Sequence, residues 1–295
     1  MNPSPIAQEY LATGRSESCP IIDMHGHIGP FHAAYLPSAP LERMLHSMER
    51  CGVKRIVCMH HVAIAHDVER GNSLMQEVID AHPDKFLGFW VINPNYPDII
   101  GKGLRSFPQR RGFVGFKFWS DYHLVPVTSS KYAAALEYAN EHGLLIMVHT
   151  FGESPFDAPA LVGQIAERYP KAQFFMAHCG HGDWETSVSV ARDLPNAYLD
   201  LTSVPNAHDF SLMPGGSLMP RALVGGEQIN GVIEYMVEIA GSKKIVFGSD
   251  LPWYSQHYHA GAILFARISD EARHDIFHRN AERLLGQHLT MNDYG

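Results

Sequence analysis

The sequence reads as a (β/α)8 barrel, the TIM-barrel class of α/β proteins, and three observations carry that expectation. Short β-rich apolar runs alternate with longer stretches of helical spacing from one end of the chain to the other, as repeated βα units require. There are eight such runs. The 295 residues also suit a barrel, which commonly occupies about 250 residues as one domain. A doubly wound open sheet is the alternative, but no G-x-G-x-x-G follows the first run.

The expected strands are 21–27, 53–61, 86–93, 113–119, 144–150, 173–179, 197–203 and 245–250. Each is dominated by apolar residues at odd and even positions alike, as in a sheet covered on both faces. Ser129 or Ser130 is placed to cap a helix through His142 that Gly143 ends, and Asp157 to cap another with Pro159 in its first turn. Residues 30–40 and 205–226 are too long for ordinary βα connections and fall on the face where barrels do chemistry, so they are expected to wall or cover the site. Residues 260–267, 270–279 and 281–289 read as closing helices. The expectation is one domain over 1–295, with 1–20 an N-terminal extension and 258–295 a closing segment.

Composition narrows the partners. With 23 Lys and Arg against 31 Asp and Glu, the formal charge is −8, and no basic run supplies the footprint that phosphate backbones or anionic lipid attract. A small-molecule substrate is expected, with no nucleic acid and no membrane. Apolar residues make up 45% of the chain, enough for a large core, yet no run nears the roughly 20 residues of a membrane span. The first 20 residues have neither a charged start nor an apolar stretch, so no signal peptide and a cytoplasmic location are expected. Cys19, Cys51, Cys58 and Cys179 form no C-x-x-C pair, which fits reduced thiols better than a disulfide frame or a cysteine zinc site. A homodimer is the expected assembly, as the commonest soluble homo-oligomer.

Histidine is abundant, at 19 residues. His25 and His27, two apart on a strand, point to one face and can grip one cation. Chance alone places about one His-x-His pair in such a chain, and a second occurs at His257 and His259, so position must decide. His25 and His27 end the first strand, Lys117 lies near the end of the fourth, His149 ends the fifth, His178 the sixth and Asp250 the eighth. In a barrel, all six meet at the C-terminal mouth. Imidazoles with one carboxylate suit Zn, Mn or Fe and not Ca or an iron–sulfur cluster, so a divalent metal is expected, Zn first.

The runs IIDMHGH, VGFKFW, IMVHT, FMAHC and VFGSDLPW, in this order, resemble the amidohydrolase superfamily. The likeness is to its amidohydrolase-related branch of lactone hydrolases, hydratases and metal-dependent decarboxylases. It extends to Asn280-Ala281-Glu282-Arg283-Leu284-Leu285-Gly286, which resembles that branch's closing helix. The resemblance implies His25, His27, His149 and Asp250 as metal ligands and His178 as a catalytic or second-metal residue. It leaves Lys117 either a carboxylated bridge between two metals or an ordinary amine near substrate; one ion is the expectation, two if Lys117 is carboxylated.

Asp23 opens the D-x-H-x-H run and is expected to point with His25 and His27, as a histidine-orienting acid or a buried acid bonded to a neighbour. Trp119, Trp253 and Tyr254 are expected to line the substrate pocket or to pack at the mouth. His60, His61, His181 and Asp183 read as solvated loop residues or substrate contacts, and His257 and His259 as surface. The first functional expectation is hydrolysis of a lactone, ester or amide in a small acidic or cyclic metabolite by a metal-activated water. Asp250 would take the water's proton and His178 would steady the oxyanion or leaving group. The alternative is non-oxidative decarboxylation or hydration of an unsaturated or aromatic acid, with His178 or Asp250 delivering a proton to carbon. A third reading, a barrel that binds a small ligand without turnover, is weakened because every expected ligand position is filled.

Overall fold

The computed structural model describes residues 3–65, 67–204 and 231–289. Eight strands form one sheet in the order β1 to β8, all pairs parallel: β1 (Ile21–Ile28), β2 (Val53–His60), β3 (Phe86–Ile92), β4 (Phe113–Phe118), β5 (Leu145–Phe151), β6 (Gln173–His181), β7 (Ala197–Asp200) and β8 (Ile245–Val246). Closure comes from the chain just after β8, which runs along β1: Met24 N–H donates to Phe247 O (2.9 Å), Asp250 N–H to His25 O (2.8 Å) and His27 N–H to Leu251 O (2.6 Å). With helices between the strands this is the expected (β/α)8 barrel. The interior is filled by Met24, Met59, Phe89, Met147 and Phe175, all fully buried, and a larger apolar shell lies between strands and helices. No helix among the described residues is long and apolar enough to cross a membrane.

The last two strands are shorter than the expected 197–203 and 245–250, for a reason that matters to the site. After Asp200 the chain turns, with Thr202 N–H (3.0 Å) and Thr202 Oγ1 (2.7 Å) both donating to Asp200 Oδ1. A Cβ at Gly248 would collide with that same carboxylate oxygen and with Thr202 Oγ1, so glycine lets the carboxylate stand between the two strand ends. Ser203 (φ 60°) and Asp250 (φ 60°) are left-handed, which no regular strand accommodates.

Ser129 caps a short turn, Ser130–Tyr132, that leads into the helix Ala133–His142, and Gly143 ends it at φ 65°. The expectation for Asp157 is corrected. The helix Pro159–Arg168 has Ala158 at its cap with no side-chain bond, and the Asp157 carboxylate turns inward to accept from Asp121 N–H (3.1 Å). The three closing helices are present as Gln256–Phe265, Asp270–His274 and Asn280–Leu289, with one π turn, Asp275–Arg279, joining the last two. The N-terminal helix Pro5–Thr13 is packed rather than loose: Ile6, Ala7 and Tyr10 are buried in the outer core. The segment 205–226, expected to wall the site, lies outside the described residues.

Candidate active site

Strand β1 sets the first two histidines. Its register with β2 moves from Asp23 opposite Ile56 to Gly26 opposite Cys58, three residues against two, so a bulge inserts one residue and flips the side-chain parity. Met24 therefore joins the barrel interior while His25 and His27 also turn inward at the mouth. The same bulge overturns the expectation that Asp23 points with them. Asp23 accepts from Ser249 N–H (3.0 Å), Ser249 Oγ (2.5 Å), Gln256 Nε2 (2.9 Å) and His25 N–H (3.2 Å), with no hydrogen bond to an imidazole ring among the described residues. It is a clasp between β1, the turn after β8 and an outer helix, and burial pushes its carboxyl up to about 7.

His25, His27 and Asp250 are brought together, with ligand atoms all within 4.8 Å of one another and every side chain buried. Asp250 Oδ1 lies 2.9 Å from His27 Nε2 and 3.5 Å from His25 Nε2. Yet that oxygen is buried without a hydrogen-bond partner, because neither approach has the alignment of one. The reason at His25 is its other nitrogen: Nδ1 lies 2.6 Å from Asp200 Oδ2, a carboxylate that can only accept, so the ring proton sits there and Nε2 presents a lone pair. A lone pair facing an unpartnered carboxylate oxygen is what a divalent cation satisfies, and the donor set suits one. Burial holds both imidazoles neutral, well below the usual histidine range, which keeps them fit to ligate.

Asp200 is a residue that the sequence reading missed. It ends the apolar run of β7, so the criterion that picked out the other rim residues, a polar group closing an apolar strand, applies to it as well.

His149 and His178 stand on the other side of the floor. His149 is not in the three-residue group: its Nδ1 lies 3.1 Å from His178 Nε2, and its Nε2 faces Asp121 Oδ2 at 3.6 Å. His178 Nδ1 in turn lies 3.2 Å from Ser203 Oγ, and its ring centroid is 5.4 Å from that of His25. Burial pushes His178 down to about 3. His178 (φ 61°) and Cys179 (φ 50°) are left-handed, a conformation costing about 1–3 kcal/mol each that persists where the surroundings enforce it. Behind His149, Asp157 is pushed up to about 7 by burial and by the charge of Asp121.

Lys117 is fully buried, with Nζ 3.4 Å from His25 Nε2 and 5.0 Å from the centre of the Trp119 ring. Burial pulls its amine down to about 8. Above the floor lies a cavity of about 280 Å³, lined by His27, Asp250, His149, His178 and Ser203 below and by aromatic residues above. Trp119, Trp253 and Tyr254 are among the lining residues, joined by Phe31, Tyr122 and Phe151.

Of the histidines expected in solvated loops or against substrate, His60, His61 and His181 are buried, and His181 lines the cavity. His61 is buried and stacks on His27, centroids 4.9 Å apart and planes 5° apart. Its Nδ1–H donates to Gly29 O (2.6 Å), so its Nε2 accepts from Trp253 Nε1–H (3.0 Å). Asp183 caps the helix Trp184–Asp193 by accepting from Thr186 N–H. His259, expected on the surface, is 1% exposed and its Nε2 accepts from Ser203 N–H (3.0 Å), holding the residue that faces His178.

A parallel eightfold barrel with imidazoles and an acid on its C-terminal mouth defines a class of metal-capable barrel proteins. The chain belongs to the amidohydrolase family, whose model matches residues 22–287. No curated protein matches it in sequence. Among solved structures it is similar in fold to 5-carboxyvanillate decarboxylase from Sphingomonas paucimobilis, at 12% identity and TM-score 0.64 over 90% of this chain and 98% of that one. It is also similar to a dihydroxybenzoic acid decarboxylase from Polaromonas sp. JS666 with bound manganese and 2-nitroresorcinol, at 15% identity and TM-score 0.69 over 94% and 100%. An uncharacterized TIM-barrel protein from Bordetella bronchiseptica matches at 18% identity and TM-score 0.70 over 91% and 99%.

Proposed function

We propose that this protein is a metal-dependent, non-oxidative decarboxylase of a small hydroxylated aromatic or unsaturated carboxylic acid. The observation that carries the reading is the cavity itself: about 280 Å³, room for one substituted ring, with aromatic walls over a floor of imidazoles and the carboxylates of Asp250 and Asp121. Phe31, Trp119 and Trp253 offer ring faces to a planar substrate, and the same walls keep water from the floor. The names of the similar barrels support the same direction, and on this balance the decarboxylase alternative displaces the hydrolytic expectation.

The residues proposed to hold the metal are His25, His27 and Asp250, with His149 as fourth ligand, its Nε2 making no hydrogen bond among the described residues. A divalent ion there supplies Lewis acidity for a carboxylate or phenolate oxygen of the substrate. Asp200 holds the tautomer of His25, and His61 holds the plane of His27. With Oδ1 of Asp250 turned to the imidazoles, its other oxygen is the one left to pass on the proton that the reaction needs. That proton goes to the ring carbon bearing the carboxylate; the carbon–carbon bond then breaks, its electron pair restores the π system and CO2 leaves. With His149 Nε2 kept for the ion, His149 Nδ1–H donates to His178 Nε2 and His178 Nδ1–H to Ser203 Oγ, so His178 orients His149 and steadies a substrate oxygen by exchanging its bond to Ser203 for one to that oxygen. Lys117 is taken as an ordinary amine whose cation supports the anionic substrate from below.

The test is turnover of ortho-hydroxylated benzoates and of a lactone panel by protein loaded with Mn or Zn, run in deuterated water. Decarboxylation releases CO2 and leaves one solvent deuterium on the ring carbon that lost the carboxylate. Lactone turnover with no release of CO2 from any carboxylated phenol would overturn the proposal.

A further inference from the structure

We propose a second metal site, on the flank of the barrel, in which Cys19, His274 and His278 bind one zinc ion. Their ligand atoms all lie within 4.8 Å of one another, and they come from opposite ends of the chain. Cys19 sits just before β1, buried, its N–H donating to Ser16 Oγ (3.0 Å), which is itself bonded to Glu9, so the thiol is held by a folded turn. His274 ends the helix Asp270–His274, and His278 lies in the π turn that follows. Such wide turns inside helices recur at functional positions.

The imidazoles are already arranged as ligands. His274 Nδ1 and His278 Nε2 face each other at 3.0 Å, and the far nitrogen of His278, Nδ1, lies 2.9 Å from Glu282 Oε1. A carboxylate only accepts, so in neutral His278 the proton sits on Nδ1 and the lone pair of Nε2 points toward His274 and Cys19. This is the carboxylate–histidine arrangement that orients metal-binding imidazoles. The nearest guanidinium groups are engaged elsewhere: Arg273 donates to Asp270 and three backbone carbonyls, and Arg279 pairs with Glu271. Cation repulsion is thereby limited. His278 is 12% exposed, which leaves solvent a route to a fourth position.

One thiolate with two imidazoles is a zinc-type set, softer than the nitrogen and oxygen set at the barrel mouth. Without a cation, burial raises the Cys19 thiol to about 12; binding displaces that proton, one per ion. The ion would tie the segment before β1 to the closing helices, joining residue 19 to residues 274 and 278 from the far end of the sequence. Sequence spacing hides it, because none of the four cysteines has a partner nearby and only the fold brings one to a His-x-x-x-His pair.

Cobalt distinguishes the two sites, since the group at the mouth contains no sulfur. Metal-free protein titrated with Co2+ is expected to show thiolate-to-cobalt charge transfer in the near ultraviolet, saturating at one equivalent of band-forming ion. Cys19→Ser abolishes the band, His278→Gln weakens or abolishes it, and Asp250→Asn leaves it intact. Both flank variants are expected to carry one zinc fewer per chain than wild type and a lower Tm in zinc, with activity retained. A band that survives Cys19→Ser, no band at saturating cobalt, or wild-type zinc content in both flank variants would overturn the site. If Cys19→Ser does not fold, His278→Gln decides alone. None of these readouts depends on which reaction the mouth performs.

Discussion

The two sides of the cavity floor hold their histidines in different ways. On the side of β1, β7 and β8, His25 is fixed by a carboxylate at 2.6 Å, and His27 is fixed by a ring stacked within 5° of parallel. On the side of β5 and β6, His149 and His178 are bonded to each other, and His178 otherwise to a hydroxyl that can donate or accept. In the first arrangement the proton of His25 has one place to sit and the ring of His27 has one plane to lie in. In the second, the N–H groups along Ser203, His178 and His149 can reverse together without moving a heavy atom. The difference separates a preassembled cation cradle from a pair that adjusts when a cation or substrate arrives. Left-handed backbone does not make this distinction, since Asp250 on one side and His178 and Ser203 on the other all carry it.

The most damaging change strikes the centre of the fixed side. Asp250→Asn keeps the volume and the backbone bonds to His25 and Trp253, so the fold is expected to survive by circular dichroism. The amide can ligate only weakly and carries no transferable acid proton, so turnover is expected to fall by about 10²–10⁴-fold. Near-wild-type turnover would remove Asp250 from the chemistry and leave the fixed side purely structural.

Next in size is a split between the two histidines of the adjustable side. His149→Ala is expected to lower metal content and turnover together, as His25→Ala and His27→Ala do on the fixed side. His178→Ala is expected to cost turnover about 10²-fold with metal content at the mouth unchanged. Metal analysis is best done in a Cys19→Ser background, so that only the mouth is counted. Loss of that metal in His178→Ala, with His149→Ala retaining it, would exchange their roles and break the comparison as drawn.

The barrel was legible because it rests on long-range repetition, eight apolar runs separated by helical stretches, which local detail does not disturb. The rim residues were legible for the same reason: His25, His27, His149, His178 and Asp250 each close one of those runs. What escaped was set by single-residue geometry. The bulge between Asp23 and Gly26 reverses side-chain parity, which no alternation rule anticipates, and so Asp23 was placed on the wrong face. The positions of His61 and His259 after strands suggest a loop residue that is solvated or against substrate and a surface residue; their burial depends on loops folding back, through Gly29 to His61 and through Ser203 to His259. Asp157 has the right spacing for a cap, but a half-buried neighbour, Asp121, supplies a competing backbone donor.

A milder effect is expected from Asp200→Asn, which leaves every ligand in place and changes only what holds His25. The amide can still accept through oxygen, but it carries no charge and can present N–H to the ring instead, so the His25 tautomer is no longer enforced. Losses of about 10–100-fold in metal affinity or activity are typical for such partners. Gly248→Ala is expected to act on the same contact from the other side, because the new methyl occupies the space of Asp200 Oδ1. If both variants bind metal as wild type does, the carboxylate is not what fixes this side.

The smallest expected effect tests whether stacking alone can serve as an anchor. His27 Nδ1 is buried without a hydrogen-bond partner, so unlike His25 it depends on the ring of His61 for its orientation. His61 is held at both nitrogens, by Gly29 O and by the indole N–H of Trp253. Trp253→Phe keeps an aromatic wall at the cavity and removes that one donor, leaving His61 Nε2 to find water or to turn. The lost bond is worth about 0.5–1.5 kcal/mol, or roughly two- to tenfold in metal affinity or kcat/KM. Because the wall remains, KM for a planar substrate should change less than metal affinity does. A change confined to KM would instead make Trp253 a substrate contact and leave His27 anchored by the stack without help from the indole.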